Sequence, residues 1–178
     1  MQEVYNMKKL LGLLTIFTLV FAVAGCSSSE DKTAEKGAEE KATSELTDSM
    51  KTKMYNAVRI AELKVNEVFH KDTAADGETP IINQNFSEES KAVAFLTNYY
   101  SEDIAKEIYT HYATENKTAE GQMITNVEAF FTPSILDSTL ESVTVEGDEN
   151  KATIKTAENM TYQVELVDGK YVITNITK

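Results

Sequence analysis

Residues 142–176, SVTVEGDENKATIKTAENMTYQVELVDGKYVITNI, decide the fold. Val143 and Val145 stand two apart, and after Gly147-Asp148-Glu149-Asn150 the alternation resumes with Ala152 and Ile154. Tyr162, Val164 and Leu166 repeat it. A period of two sends successive side chains to opposite faces, so each run reads as a half-buried strand. Asp168-Gly169 then supplies a two-residue turn of the kind a tight hairpin prefers, since both positions need positive φ, and Tyr171 and Ile173 begin a last strand. The expectation is a four-stranded antiparallel meander closing the chain.

Upstream the period changes to 3.6. Thr47 and Asp48 can cap a helix, and Met50, Met54, Ala57, Val58, Ala61, Val65 and Val68 recur at three- and four-residue steps up to His70. Asp76-Gly77 and Pro80 turn residues 71–86 into a loop. Ser87 is expected to cap a second helix with Val93, Leu96 and Tyr100 on one face. Ser101, followed by Glu102 and Asp103, starts a third, with Ile104, Ile108 and Tyr112 on its face. Asn116 to Gly121 ends the helical half. Residues 122–137 fit two periods, since Ile124, Val127 and Phe131 have helical spacing while Val127, Ala129 and Phe131 alternate; the segment is read as a strand or extended stretch stopped at Thr132-Pro133-Ser134. The fold class is α+β: one domain over 47–178, with helices in 47–116 packed on one face of a sheet in 122–178.

The N-terminal residues carry a different message. Sixteen uncharged residues run from Leu10 to Gly25, preceded by Lys8 and Lys9 and closed by Val23-Ala24-Gly25-Cys26. The run is short for a membrane-spanning helix, which needs about 20 apolar residues. A basic start, an apolar stretch and small residues before a cleavage point make a secretory signal. Glu3 suits such a start poorly, which favours Met7 over Met1 as the initiator. Val23-Ala24-Gly25-Cys26 resembles the lipobox of bacterial lipoprotein precursors. That resemblance implies cleavage after Gly25 and a diacylglyceryl group on the Cys26 sulfur, giving residues 1–25 as signal peptide. Two acyl chains hold a protein stably where one does not. Sixteen of the seventeen basic residues are Lys, Arg59 being the exception, which favours an AT-rich, Gram-positive source.

Residues 26–46 read as a disordered linker, because 27–46 offer one large aliphatic side chain in twenty positions and cannot offset chain entropy of about 1–2 kcal/mol per residue. The net charge of −12 lies mostly beyond them: residues 46–178 hold 22 acids and 12 bases. An acidic domain is a poor nucleic-acid binder, so no nucleic-acid partner is expected. With one Cys, no internal disulfide can form.

Chemistry-bearing motifs are sparse. There is no Gly-rich phosphate loop and no Ser nucleophile elbow, so no cofactor, metal or catalytic residue is expected. His70 at a helix end suits the helix dipole. Asp72, Asp76 and Glu78 faintly suggest a calcium loop, but Ala74 stands where a ligating oxygen is required. Tyr99, Tyr100, Tyr109, His111 and Tyr112 form the candidate ligand pocket, the tyrosines either stacking on a glycan or apolar ligand or packing against the sheet with hydroxyls at the rim.

The Ser142–Ile176 meander resembles the C-terminal part of cystatin-like or nuclear-transport-factor-like cone domains in small secreted or lipid-anchored bacterial proteins. In those families a hairpin ends in an acidic-Gly turn followed by an aromatic residue and an aliphatic one two later, here Asp168-Gly169, Tyr171 and Ile173. The resemblance implies a helix-on-sheet cone that hosts isomerases, dehydratases or binding modules. With no Asp–His pair close in the chain, the expected function is a non-enzymatic binding module anchored at the outer face of the cell membrane, its partner an envelope protein or ligand. The alternatives are a cone-fold small-molecule carrier or enzyme, and an inhibitor of a secreted wall hydrolase using the acidic 71–79 loop.

Overall fold

The computed structural model describes residues 46–178. Cys26, the Val23-Ala24-Gly25 segment, the signal peptide and the linker before residue 46 lie outside the described residues.

Helix α1, Asp48–Phe69, starts where expected: Thr47 is its extended N-cap and its side chain accepts from the Met50 amide at 3.3 Å. Its buried face carries Met54, Val58, Ala61, Val65 and Val68, joined by Tyr55, Glu62 and Phe69, whereas Met50 and Ala57 are only half buried. The meander also forms as expected, from β5 (Thr144–Gly147), β6 (Lys151–Lys155), β7 (Thr161–Val167) and β8 (Lys170–Thr177), in that spatial order and antiparallel throughout. Asp168 and Gly169 both take positive φ, 49° and 78°, as a type I′ turn requires. Ala152, Ile154, Tyr162, Val164 and Ile173 form the buried face. Leu166, expected beside them, is 40% exposed, close to the Asp168-Gly169 turn that closes the hairpin. A bulge in β8 places Ile173 opposite Val164 and Asn175 opposite Gln163, leaving Thr174 as the extra residue.

Three expectations are corrected. The second helix, α2, is Glu89–Leu96; its N-cap is Glu88, and Ser87 closes a preceding 3-10 turn over Gln84–Phe86. Tyr100 lies beyond that helix, because β8 captures the chain there: the Ile173 amide donates to the Tyr99 carbonyl at 2.9 Å, and the Ser101 amide to the Ile173 carbonyl at 2.8 Å. Second, residues 71–86 are not simply a loop. They contain β1 (Asp72–Thr73) and β2 (Pro80–Ile81), paired antiparallel around the Asp76-Gly77 turn. Third, helix α3, Glu102–Tyr112, runs directly into β3, Ala113–Lys117, so the helical half does not extend to 116. In 122–137 only β4, Met123–Thr125, is a strand, and a 3-10 turn follows at Ile135–Asp137. A second small sheet results, in the order β1-β2-β4-β3, held by backbone pairing between segments that look like turns in isolation.

α1 and α3 pack on β8, and α1 also meets β7 and the Ile135–Asp137 turn. The interface between helices and meander is occupied by Met54, Val58, Val65, Leu96, Ile108, Ile135, Ile154, Tyr162 and Ile173, each nearly or fully buried. Each such side chain contributes about 1.5–3 kcal/mol by leaving water.

Candidate functional site

None of the five residues of the expected tyrosine pocket lines any of the four grooves described on the surface. Tyr112 stacks on Phe69 at 5.0 Å between ring centroids, and Tyr109 leans on the same ring at 6.1 Å. Tyr100 faces Phe131, and Tyr99 meets Phe95 edge-on. Tyr100, Tyr109 and Tyr112 are buried and Tyr99 is half buried, and the Tyr100 hydroxyl lies in the interior and not at a rim. Four open grooves on the described surface are lined by other residues.

The two histidines, distant in sequence, meet around Tyr112, each edge-on to it at 4.7 Å. His111 shares a 2.7 Å hydrogen bond between Nε2 and the Glu128 carbonyl. His70 was expected to gain from the dipole of α1. The residue is exposed at the C-cap of α1, and partial loss of water around the ring, followed by the charge of His111, lowers its pKa. Among the described residues, no group of three or more His, Cys, Asp or Glu side chains is placed to hold a metal ion. In the 71–79 loop the Asp76 carboxylate turns back on its own turn. It accepts from the Glu78 and Thr79 amides at 3.0 and 2.9 Å and from the Thr79 hydroxyl at 2.6 Å, and these bonds pull its pKa down to about 2.

One charged side chain that sequence reasoning passed over lies in the core. Glu62 is only 6% exposed on the apolar face of α1. Oε1 accepts a hydrogen bond from the Ser134 hydroxyl, and Oε2 accepts from the Ile135 amide at 3.2 Å. Burial raises its pKa above the usual carboxylate value, Asp137 adds to the rise, and the two hydrogen bonds oppose it. No lysine, arginine or histidine among the described residues forms an ion pair with it. Tyr100 and Tyr162 lie within electrostatic reach, and burial, reinforced by the charge of Glu62, holds both phenols protonated far beyond neutral pH. Both hydroxyls are buried without a hydrogen-bond partner among the described residues. The signal was readable: Glu62 falls four residues after Val58 and three before Val65, an acid inside the apolar stripe.

Ser134 forms part of a wall. On its outer side lies a cleft of about 220 Å³ between the 133–142 segment and the β6–β7 turn, lined by Ser134, Asp137, Ser138, Ser142, Thr156 and Glu158 together with Pro133 and Ala157.

The molecule is thus a small α+β domain with an occupied helix-to-sheet interface and one buried, hydrogen-bonded carboxylate. No protein-family model matches the chain, and neither a curated protein nor a solved structure matches it.

Proposed function

We propose that the chain is a lipoprotein held at the outer face of a bacterial cell membrane by a diacylglyceryl group on Cys26, its α+β domain acting as a non-enzymatic binding module for an envelope protein or ligand. The observation that carries the anchor is the ordered sequence of Lys8-Lys9, the uncharged run and Val23-Ala24-Gly25-Cys26. The binding reading draws support from the surface, where open clefts, one of about 600 Å³ lined by Glu89, Val93, Thr97 and Lys106, offer places to bind. The Asp76 carboxylate is engaged by its own turn, so the wall-hydrolase inhibitor gains no support from that loop.

Labelled palmitate fed to cells should enter the wild-type chain and be absent from Cys26→Ala. Label that persists in the variant overturns the anchor. In-cell crosslinking from the anchored chain, read by mass spectrometry, tests the binding half. A partner enriched far beyond its abundance sustains it, and crosslinks that merely follow abundance overturn it.

A further inference from the structure

Helix α1 leaves one face unpartnered. Lys53, Asn56, Ile60 and Leu63, spaced by three and four residues, are all exposed and form a stripe opposite the side that enters the core. Water-facing positions of a helix ordinarily take polar side chains, yet Ile60 is 47% and Leu63 51% exposed. The other exposed large hydrophobics among the described residues are Val127, Leu166 and Val167, and the last two, consecutive on β7, point to opposite faces. Ile60 and Leu63, one turn apart, share one. The charge of α1 is also reversed from that of the rest of the domain. It holds four bases, Lys51, Lys53, Arg59 and Lys64, against three acids, whereas residues 70–178 hold eight bases against nineteen acids. Of the three acids Glu62 is buried and Glu67 is paired with Lys64 at 2.7 Å, which leaves Asp48 in the first turn. Lys51, Lys53 and Arg59 form no ion pair among the described residues, Arg59 resting on the Tyr55 ring at 5.6 Å. Arg59 lies four residues before Leu63 and Lys64 four after Ile60, so a cation flanks the aliphatic pair on each side.

We propose that α1 lies on the membrane surface, with Lys53, Arg59 and Lys64 toward anionic headgroups and Ile60 and Leu63 entering the headgroup layer. The inference rests on the lipid-anchor reading and adds an orientation to it. Three observations select a lipid occupant. Residues 27–47 can span no more than about 80 Å, so an anchor at Cys26 keeps α1, the first described element, near the bilayer and raises its effective concentration there. Two half-exposed aliphatic side chains fall far short of the roughly 800 Å² per partner that a stable interface with another protein or a second copy needs, whereas a tethered helix needs little apolar contact. The basic face complements anionic lipid while the nineteen acids of residues 70–178 are repelled by it, which gives the domain one preferred side. The contact is superficial: the opposite face of α1 is committed to the core, and no helix among the described residues is long and apolar enough to cross a membrane.

The test attaches a polarity-sensitive fluorophore through a thiol, on the stripe in Asn56→Cys and on the outer face of the meander in Gln163→Cys. The full chain is purified from membranes and reconstituted in vesicles of phosphatidylcholine alone or mixed equally with phosphatidylglycerol. A diacylglyceryl thioether at Cys26 leaves only the introduced thiol to react. Emission at position 56 should rise in the phosphatidylglycerol vesicles and fall back in about 1 M salt, where the screening length is about 3 Å, while position 163 stays unchanged. In the Asn56→Cys chain, Lys53→Gln should lower the docked-to-free ratio about fivefold, and Ile60→Asn with Leu63→Asn about tenfold. All three side chains are exposed, so these substitutions leave the core intact. Equal emission in the two kinds of vesicle, a rise at position 163 as large as at 56, or indifference to either set of substitutions overturns the proposal, as does a signal that appears only when another membrane protein is added. A chain that floats with the vesicles but leaves position 56 dark removes the orientation and keeps the anchor, whereas a chain that does not float removes both.

Discussion

The domain contains two four-stranded antiparallel sheets built on opposite plans. The meander uses strands of four to eight residues joined in chain order, so each pairs with its sequence neighbour. The smaller sheet uses strands of two to five residues, and its β2–β4 pairing brings together segments separated by both α2 and α3. One sheet is specified by local pattern, and the other exists only once the helices have brought its pieces together. Length separates them too: a two-residue strand has no face of its own to bury, so its stability comes from its surroundings.

The contrast can be broken most severely by removing side chains from the meander's inner face. Ile154→Ala should cost about 3 kcal/mol in urea unfolding, since the side chain is fully buried between helices and sheet. Its exposed counterpart by the small sheet, Val127→Ala, should stay within about 0.5 kcal/mol, as that side chain is 77% exposed.

Glycine substitutions sharpen the comparison at the turns. Gly147 ends β5 at φ 135°, and an added Cβ would stand 2.2 Å from the Lys151 carbonyl oxygen and 2.7 Å from the Ala152 Cα, both backbone atoms. Gly147→Ala should lose about 2–3 kcal/mol. Gly77, at φ 74° in the β1–β2 turn, has open space around it, so Gly77→Ala should lose only about 1 kcal/mol, the cost of a left-handed backbone alone.

Titration gives the smallest effects, with opposite signs in the two regions. The folded-state pKa of Glu62 is raised from 4.5, so the native state holds the proton more tightly than the unfolded chain and stability falls as pH climbs above 4.5. Asp76 is lowered from 3.8 to about 2, so its contribution is complete above 3.8 and is lost as pH falls toward 2. Urea midpoints measured against pH should show the first dependence vanish in Glu62→Gln and the second in Asp76→Asn. A Glu62→Gln profile parallel to the wild type would mean that the carboxylate meets no penalty in the core.

What could be read from the sequence follows the same division. The α1 stripe, its Thr47 cap, the meander and the Asp168-Gly169 turn are local signals, written by spacing and φ requirements within a few residues. β1, β2 and β3 are not legible and β4 is legible only as part of a longer extended stretch, because Asp72-Thr73 or Met123-Ile124-Thr125 carries too few side chains to establish a period, and the partner of each is chosen by tertiary packing. Helical spacing alone puts Tyr100 on the second helix, yet the edge of β8 competes for that backbone and wins. At the site, the sequence placed the tyrosines in the right half of the molecule but gave no sign that Phe69 and Phe131 would take their ring faces. It held Glu62 in plain view, and only the arrival of Ser134 and Ile135 from more than seventy residues away explains how that acid is tolerated.

The backbone bridge at Tyr100 and Ile173 also bears on how the chain can be divided. A strand left bare along one side is a template for a second molecule, and proteins concentrated on a surface meet such templates often. By laying residues 99–101 along β8, the fold blocks part of its longest edge with its own backbone. A fragment beginning after residue 101 would keep the meander's sequence and lose this guard. Such a fragment should self-associate, which makes the helices and the sheet a single unit of solubility as well as of packing.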